Sequence, residues 1–164
     1  MTNTISNVLV GTAVLSIKYP VGGSYVEAGY TEDGTTLEYN PELADIDVEE
    51  ETVSIGRVIT KEVIKITANL AESSIQNINK AMAGGALTGT TIINLGGGTI
   101  KEMSVKLVGT NPAGYNRTIE MALCTATGNV AMSYKKGEKT LVPVEFTALD
   151  DGTHYPCVIT DSTS

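Results

Sequence analysis

The chain holds one histidine, His154, within Asp150-Asp-Gly-Thr-His-Tyr-Pro-Cys157. A nucleophilic triad needs an imidazole between a carboxylate and a thiol or hydroxyl. His154, with Asp150 or Asp151 and Cys157, is the only centre such chemistry could have. The same stretch is too poor in ligands for a structural zinc site, which wants four at recognisable spacing. Gly84-x-x-x-x-Gly89 has the outline of a phosphate loop. Thr90-Thr91 stand where Lys-Ser/Thr is required, however, and the loop follows a helical stretch instead of opening one. Glu49-Glu50-Glu51 lacks the spaced aspartates and glycine of a calcium loop, and reads as a solvated or lumen-facing charge patch. No stripe of aromatic and basic residues suits single-stranded nucleic acid. These residues assign no catalytic, cofactor-binding or metal-ligating role. The expected function is mechanical or adhesive, not enzymatic.

Composition narrows the field further. The 164 residues suit one domain, large enough to bury roughly 70% of its unfolded surface without metals or disulfides. With one Phe and no Trp, the core must come from Val, Ile, Leu, Met and Ala. Of the net charge of −8, −7 falls in residues 1–84. Such an acidic chain has no electrostatic footprint for gripping nucleic acid, though it would keep DNA from sticking. Cys124 lies in an alternating run and reads as a small buried residue, and both it and Cys157 are expected as thiols. No apolar run of about 18 residues predicts a membrane span, and no signal peptide is read at Met1-Thr-Asn-Thr-Ile-Ser-Asn. Synthesis in the cytoplasm is the expectation.

The central element is the stretch 58–85. Ile64, Ile66, Ala68 and Leu70 alternate with Lys65, Thr67 and Asn69, which predicts a strand with one buried face. The period then changes. Ala71, Ile75, Ile78 and Met82 fall on one helical stripe, with Gln76, Asn77 and Lys80 facing away, so one helix is predicted over about 71–83. Its cap is either Asn69 with Glu72 or Ser73 with Gln76, and Gly84-Gly85 is its left-handed stop.

The remainder reads as short strands. Asp33-Gly34 signals a hairpin and Pro41 ends its return strand. Val130 to Tyr134 and Lys139 to Leu149 follow as later strands, with Pro143 arguing for an edge or bulge and a bulge near Glu102. Residues 1–10 read as an N-terminal arm and 150–164 as a loosely held polar tail. The fold class is mainly β: an antiparallel β-sandwich or barrel of eight or nine strands with one flanking helix. No internal repeat or linker interrupts it.

Residues 41–57 read as an extended β-hairpin or loop arm. Ile46 and Val48, then Val53 and Ile55, alternate with polar residues around Glu49-Glu50-Glu51. A lone ribbon exposing four β-branched side chains would be a sticky edge. The segment therefore either folds back on the core or reaches a neighbouring subunit.

The strand-then-helix block resembles the centre of phage major tail tube proteins. The resemblance is carried by Ile64-Lys-Ile-Thr-Ala-Asn-Leu70, Glu72-Ser-Ser-Ile75, Asn77-Ile78 and Ala81-Met82-Ala-Gly84. Leu141-Val-Pro-Val-Glu-Phe-Thr-Ala-Leu-Asp150 is similar to that family's closing strand, and 41–57 stands where its members carry a long subunit-contacting loop or hairpin. The resemblance implies a structural virion protein of the phage tail. Six copies would form a ring and rings would stack into a hollow tube that conducts DNA without binding it, with tape-measure and tail-end proteins as partners. In that setting Ile46, Val48, Val53 and Ile55 are the expected subunit contacts, and Glu49, Glu50 and Glu51 the candidates for lumen charge. Ile75, Ile78 and Met82 would hold the helix on its own sandwich. Related tubes in contractile injection and secretion systems fit the same pattern. A β-sandwich adhesion module is the rival of a different class.

Overall fold

The computed structural model describes residues 11–163, so the arm expected over 1–10 lies outside the described residues. The chain is mainly β and antiparallel, as its alternating runs predict, with a sandwich-like sheet and one helix. Strands β1 (Val14–Lys18), β2 (Tyr25–Glu27), β3 (Thr31–Ile46) and β4 (Gly56–Leu70) precede helix α1 (Ile75–Ala81). After it come β5 (Ala86–Thr88), β6 (Ile92–Asn94), β7 (Glu102–Thr110), β8 (Asn116–Ala126), β9 (Val142–Ala148) and β10 (Val158–Asp161). The main sheet runs β2-β1-β7-β8-β9-β4-β3, with β10 on β8 and a separate β5-β6 hairpin. Its end strands β2 and β3 do not pair with each other, so the sheet is not a closed barrel.

One core cluster holds Leu15 and Ile17 of β1 together with Ile66 and Leu70 of β4, all fully buried. Strands so far apart in the sheet order share a core only because the sheet curls. Phe146 of β9 is the largest side chain in that cluster. Cys124 is buried there as expected, its thiol pushed up to about 12 by desolvation, and both cysteines are free.

Several local expectations are corrected. Asp33 and Gly34 do adopt positive φ, at 63° and 81°, but they form a bulge inside β3 instead of a hairpin turn. The residues on both sides, Glu32 and Thr35, pair with the same strand β4, so the Asp-Gly geometry is absorbed as extra length. Pro41 does not end the strand, because β3 is an edge with one side free of ladder bonds. Pro143 behaves as predicted, since β9 pairs only with β4 at that position. Residues 130–134 form no strand, although Val130 and Met132 pack against the core. Part of the segment expected as a loose tail is anchored: Val158–Asp161 pairs with Arg117–Glu120, and Arg117 forks onto Asp161 at 2.6 and 2.7 Å.

The helix is shorter than the predicted 71–83, and its cap is Ser74, whose hydroxyl accepts from the Asn77 amide at 3.3 Å. Neither expected cap is used. Asn69 still belongs to β4, and Glu72 accepts from the Tyr30 amide, 3.2 Å away. Met82 is already extended, so Gly84-Gly85 lies beyond the helix end; Gly85, at φ 101°, packs closely under Leu95 and Asn94. Asn77 is turned inward, contrary to the stripe. Its amide donates to Ala28 O at 2.8 Å and Glu72 O at 3.1 Å. Ile75, Ile78 and Met82 are half-buried, with Ile78 against the core.

Candidate functional site

Strands β3 and β4 pair from Thr31↔Leu70 out to Ile46↔Gly56, but β9 covers β4 only over Lys65–Leu70. From Tyr39 to Ile46 the two strands have only each other. At the usual rise per residue this bare ribbon is roughly 27 Å long. Its own contacts are few. Tyr39 Oη donates to Glu62 at 2.6 Å, Arg57 meets Asp45 at 2.5 Å, and Lys61 lies 3.5 Å from Glu42.

The tip carries the residues singled out from sequence. Ile46 lies across from Gly56, and the Ile55 amide donates to Ile46 O at 2.9 Å. The Ser54 hydroxyl donates to Asp47 at 2.5 Å and the Glu51 amide to Val48 O at 3.4 Å, closing the turn. Ile46, Ile55 and Val53 are 41%, 59% and 77% exposed, Val48 is half-buried, and none belongs to the core cluster. The 41–57 arm therefore does not fold back onto the chain's own core. Glu49, Glu50 and Glu51 stand exposed at the turn.

A second apolar surface was not read from the sequence. Opposite residues on paired strands share a face, so Leu37/Ile66, Tyr39/Ile64 and Leu43/Ile59 form one stripe. Ile66 is in the core, while Tyr39, Leu43 and Ile59 are about half exposed. The core-facing side of the hairpin thus runs on past the end of the core. With Leu149, Tyr155 and Ile159 of the C-terminal segment, the middle of this stripe walls a groove of about 620 Å³. The alternation Leu37, Tyr39, Leu43 was present in the sequence. Reading Pro41 as a strand end hid it.

Of the triad candidates, His154 and Asp151 meet, and Cys157 is bonded to neither. His154 Nδ1 lies 2.7 Å from Asp151 Oδ2, and Asp151 Oδ1 accepts from the amides of Thr153 and His154. These bonds, the His154 amide first, hold Asp151 down to about 2. The pair organises an exposed turn, and no described thiol or hydroxyl hydrogen-bonds the imidazole. Cys157 lines the groove, its thiol pushed up by burial. Gly84 and Gly89 flank β5 and form no phosphate cradle at a helix start. Among the described residues no three of His, Cys, Asp and Glu are grouped to hold a metal, and no helix is long and apolar enough to cross a membrane. On the outer sheet face, the Tyr25 ring lies 4.9 and 4.4 Å from the ammonium groups of Lys18 and Lys106, and its hydroxyl donates to Glu120 at 2.5 Å. That cluster is internally compensated.

What the molecule presents, then, is a projecting ribbon with apolar residues along its stem and tip. Compared with protein-family models and with curated proteins, the chain matches none.

Proposed function

We propose that this chain is the building block of a hollow phage tail tube: a structural virion protein, made in the host cytoplasm, whose copies close into stacked hexameric rings that conduct DNA at ejection. The observation that carries the reading is the bare distal half of the β3–β4 hairpin. It exposes Leu43, Ile46, Val53, Ile55 and Ile59 on a two-stranded ribbon that pairs with no third strand. Such ribbons are marginal in water, and a neighbouring copy supplies the missing layer. A contact between unlike surfaces of successive copies propagates, giving rings when the rotation closes and a filament when it does not. The net charge of −8 supports a channel that repels phosphate, so that DNA slides through. Tape-measure and tail-end proteins would occupy the tube's interior and ends.

Deleting residues 44–55 tests the reading. The expected product is a folded monomer by size-exclusion chromatography and circular dichroism, while the parent chain forms rings or tubes in negative-stain images. Tubes formed by the deletion variant would contradict the assignment of the arm. An absence of any assembly by the parent would contradict the function.

A further inference from the structure

Lys80 and Lys101 line one pocket of about 630 Å³ with Tyr19, Gln76, Asn79 and Thr99, and no aspartate or glutamate lines it. Lys101 is only 5% exposed, and its Nζ donates to the backbone oxygen and Oδ1 of Asn79, each at 2.6 Å. Both acceptors are neutral. An ammonium has three donors, so one remains unspent. Lys80 is half-buried on α1, and no described residue accepts from its ammonium. Burial lowers the pKa of both groups. A desolvated cation without an opposite charge lacks the partner that ordinarily offsets its burial. Six other cations do have such a partner: Arg57 with Asp45, Lys61 with Glu42, Lys65 with Glu145, Arg117 with Asp161, Lys135 with Glu138 and Lys139 with Glu32.

The opposite imbalance stands at the hairpin tip. Glu49, Glu50 and Glu51 are exposed, and none of the three carboxylates meets a cation among the described residues. They sit at the end of the bare ribbon, flanked by the apolar Ile46, Val53 and Ile55. We propose that the Lys80–Lys101 pocket is the receptor for the Glu49–Glu51 tip of a second copy of this chain. This rests on the assembly reading above and names the surface that receives the arm. One carboxylate meets the Lys80 ammonium and another takes the spare donor of Lys101. Because tip and pocket are different surfaces, every copy keeps one of each free for the next, as an open-ended assembly requires. The tip carboxylates then lie in the interface and not in the channel, whose charge comes from the remaining acidic residues.

Zero-length carbodiimide coupling of the assembled parent chain, mixed from isotopically light and heavy copies, reads this contact directly. The expected product joins a peptide containing Glu49–Glu51 of one copy to Lys80 of another. Assemblies in which the tip couples only to other lysines would overturn the proposal. Charge reversal provides the second arm. Lys80→Glu alone, and Glu49→Lys with Glu50→Lys alone, should each lose assembly while keeping the parent's circular dichroism. Combined, they should regain it. The tip variant is on exposed residues and keeps the test usable if Lys80→Glu misfolds. Unchanged assembly by the folded Lys80→Glu variant or by the tip variant overturns the receptor alone, whereas a parent that never assembles overturns both the receptor and the assembly reading.

Discussion

The two halves of the β3–β4 hairpin share one pair of strands and one alternating pattern, yet they have opposite fates. Near the body, where β4 also pairs with β9, Ile66, Ala68 and Leu70 are buried in the core, with Leu37 packed beside them. Farther out, Leu43 pairs with Ile59 on the continuation of the same face and both stay about half exposed. Nothing in the local chemistry separates Leu37 from Leu43. The difference is the rest of the sheet and its core, which stop along the hairpin where the pairing with β9 ends. Apolar alternation specifies that a face seeks burial; it does not say whether the covering surface belongs to the same chain.

That contrast can be broken or sharpened by substitution. The largest effect is expected in the body. Phe146→Ala removes the largest core side chain and should cost about 3–5 kcal/mol, read as a shift of the urea midpoint. Asn77→Ala should cost about 1–3 kcal/mol, because it strips the donor from Ala28 O and Glu72 O at the helix seat. In the outer half, Ile55→Ala should change the stability of dilute monomer by under about 0.5 kcal/mol while raising the concentration needed for assembly. A core-sized loss of monomer stability there would show that the tip is packed on its own chain.

The smallest effect concerns the Asp151 turn. Its carboxylate is held down to about 2 by bonds from the His154 amide, the His154 ring and the Thr153 amide. A depressed acid stabilises above its unfolded value, about 3.9, and that contribution fades as pH falls through about 2. The thermal stability gap between the parent and Asp151→Ala should therefore be full at about pH 5 and narrow on further acidification. A gap unchanged down to pH 2 would mean that the carboxylate's charge plays no part.

Much of this arrangement was legible in the residues. The alternation of Ile64, Ile66, Ala68 and Leu70 gave the buried face of β4, and a helix was expected where α1 lies. The details that escaped were ones settled by partners distant in sequence. Asp33-Gly34 has the dihedral signature of a turn, but whether it reverses the chain or bulges depends on which strand pairs on either side. Asn77 reads as a surface amide until Ala28 O is brought against it. Pro41 reads as a stop unless the strand is known to be an edge. The tip residues Ile46, Val53 and Ile55 were identifiable by type and spacing, whereas the stripe through Leu43 and Ile59 required the register.

Backbone hydrogen exchange over residues 40–46 and 56–63 tests the central claim most directly. In dilute monomer these amides should exchange quickly compared with those of Lys65–Leu70, since a bare two-stranded ribbon opens readily. On raising the concentration, they should become protected in step with the appearance of assembled species. Exchange that stays fast at every concentration, or slow protection already present in the monomer, would contradict a ribbon completed by its neighbour.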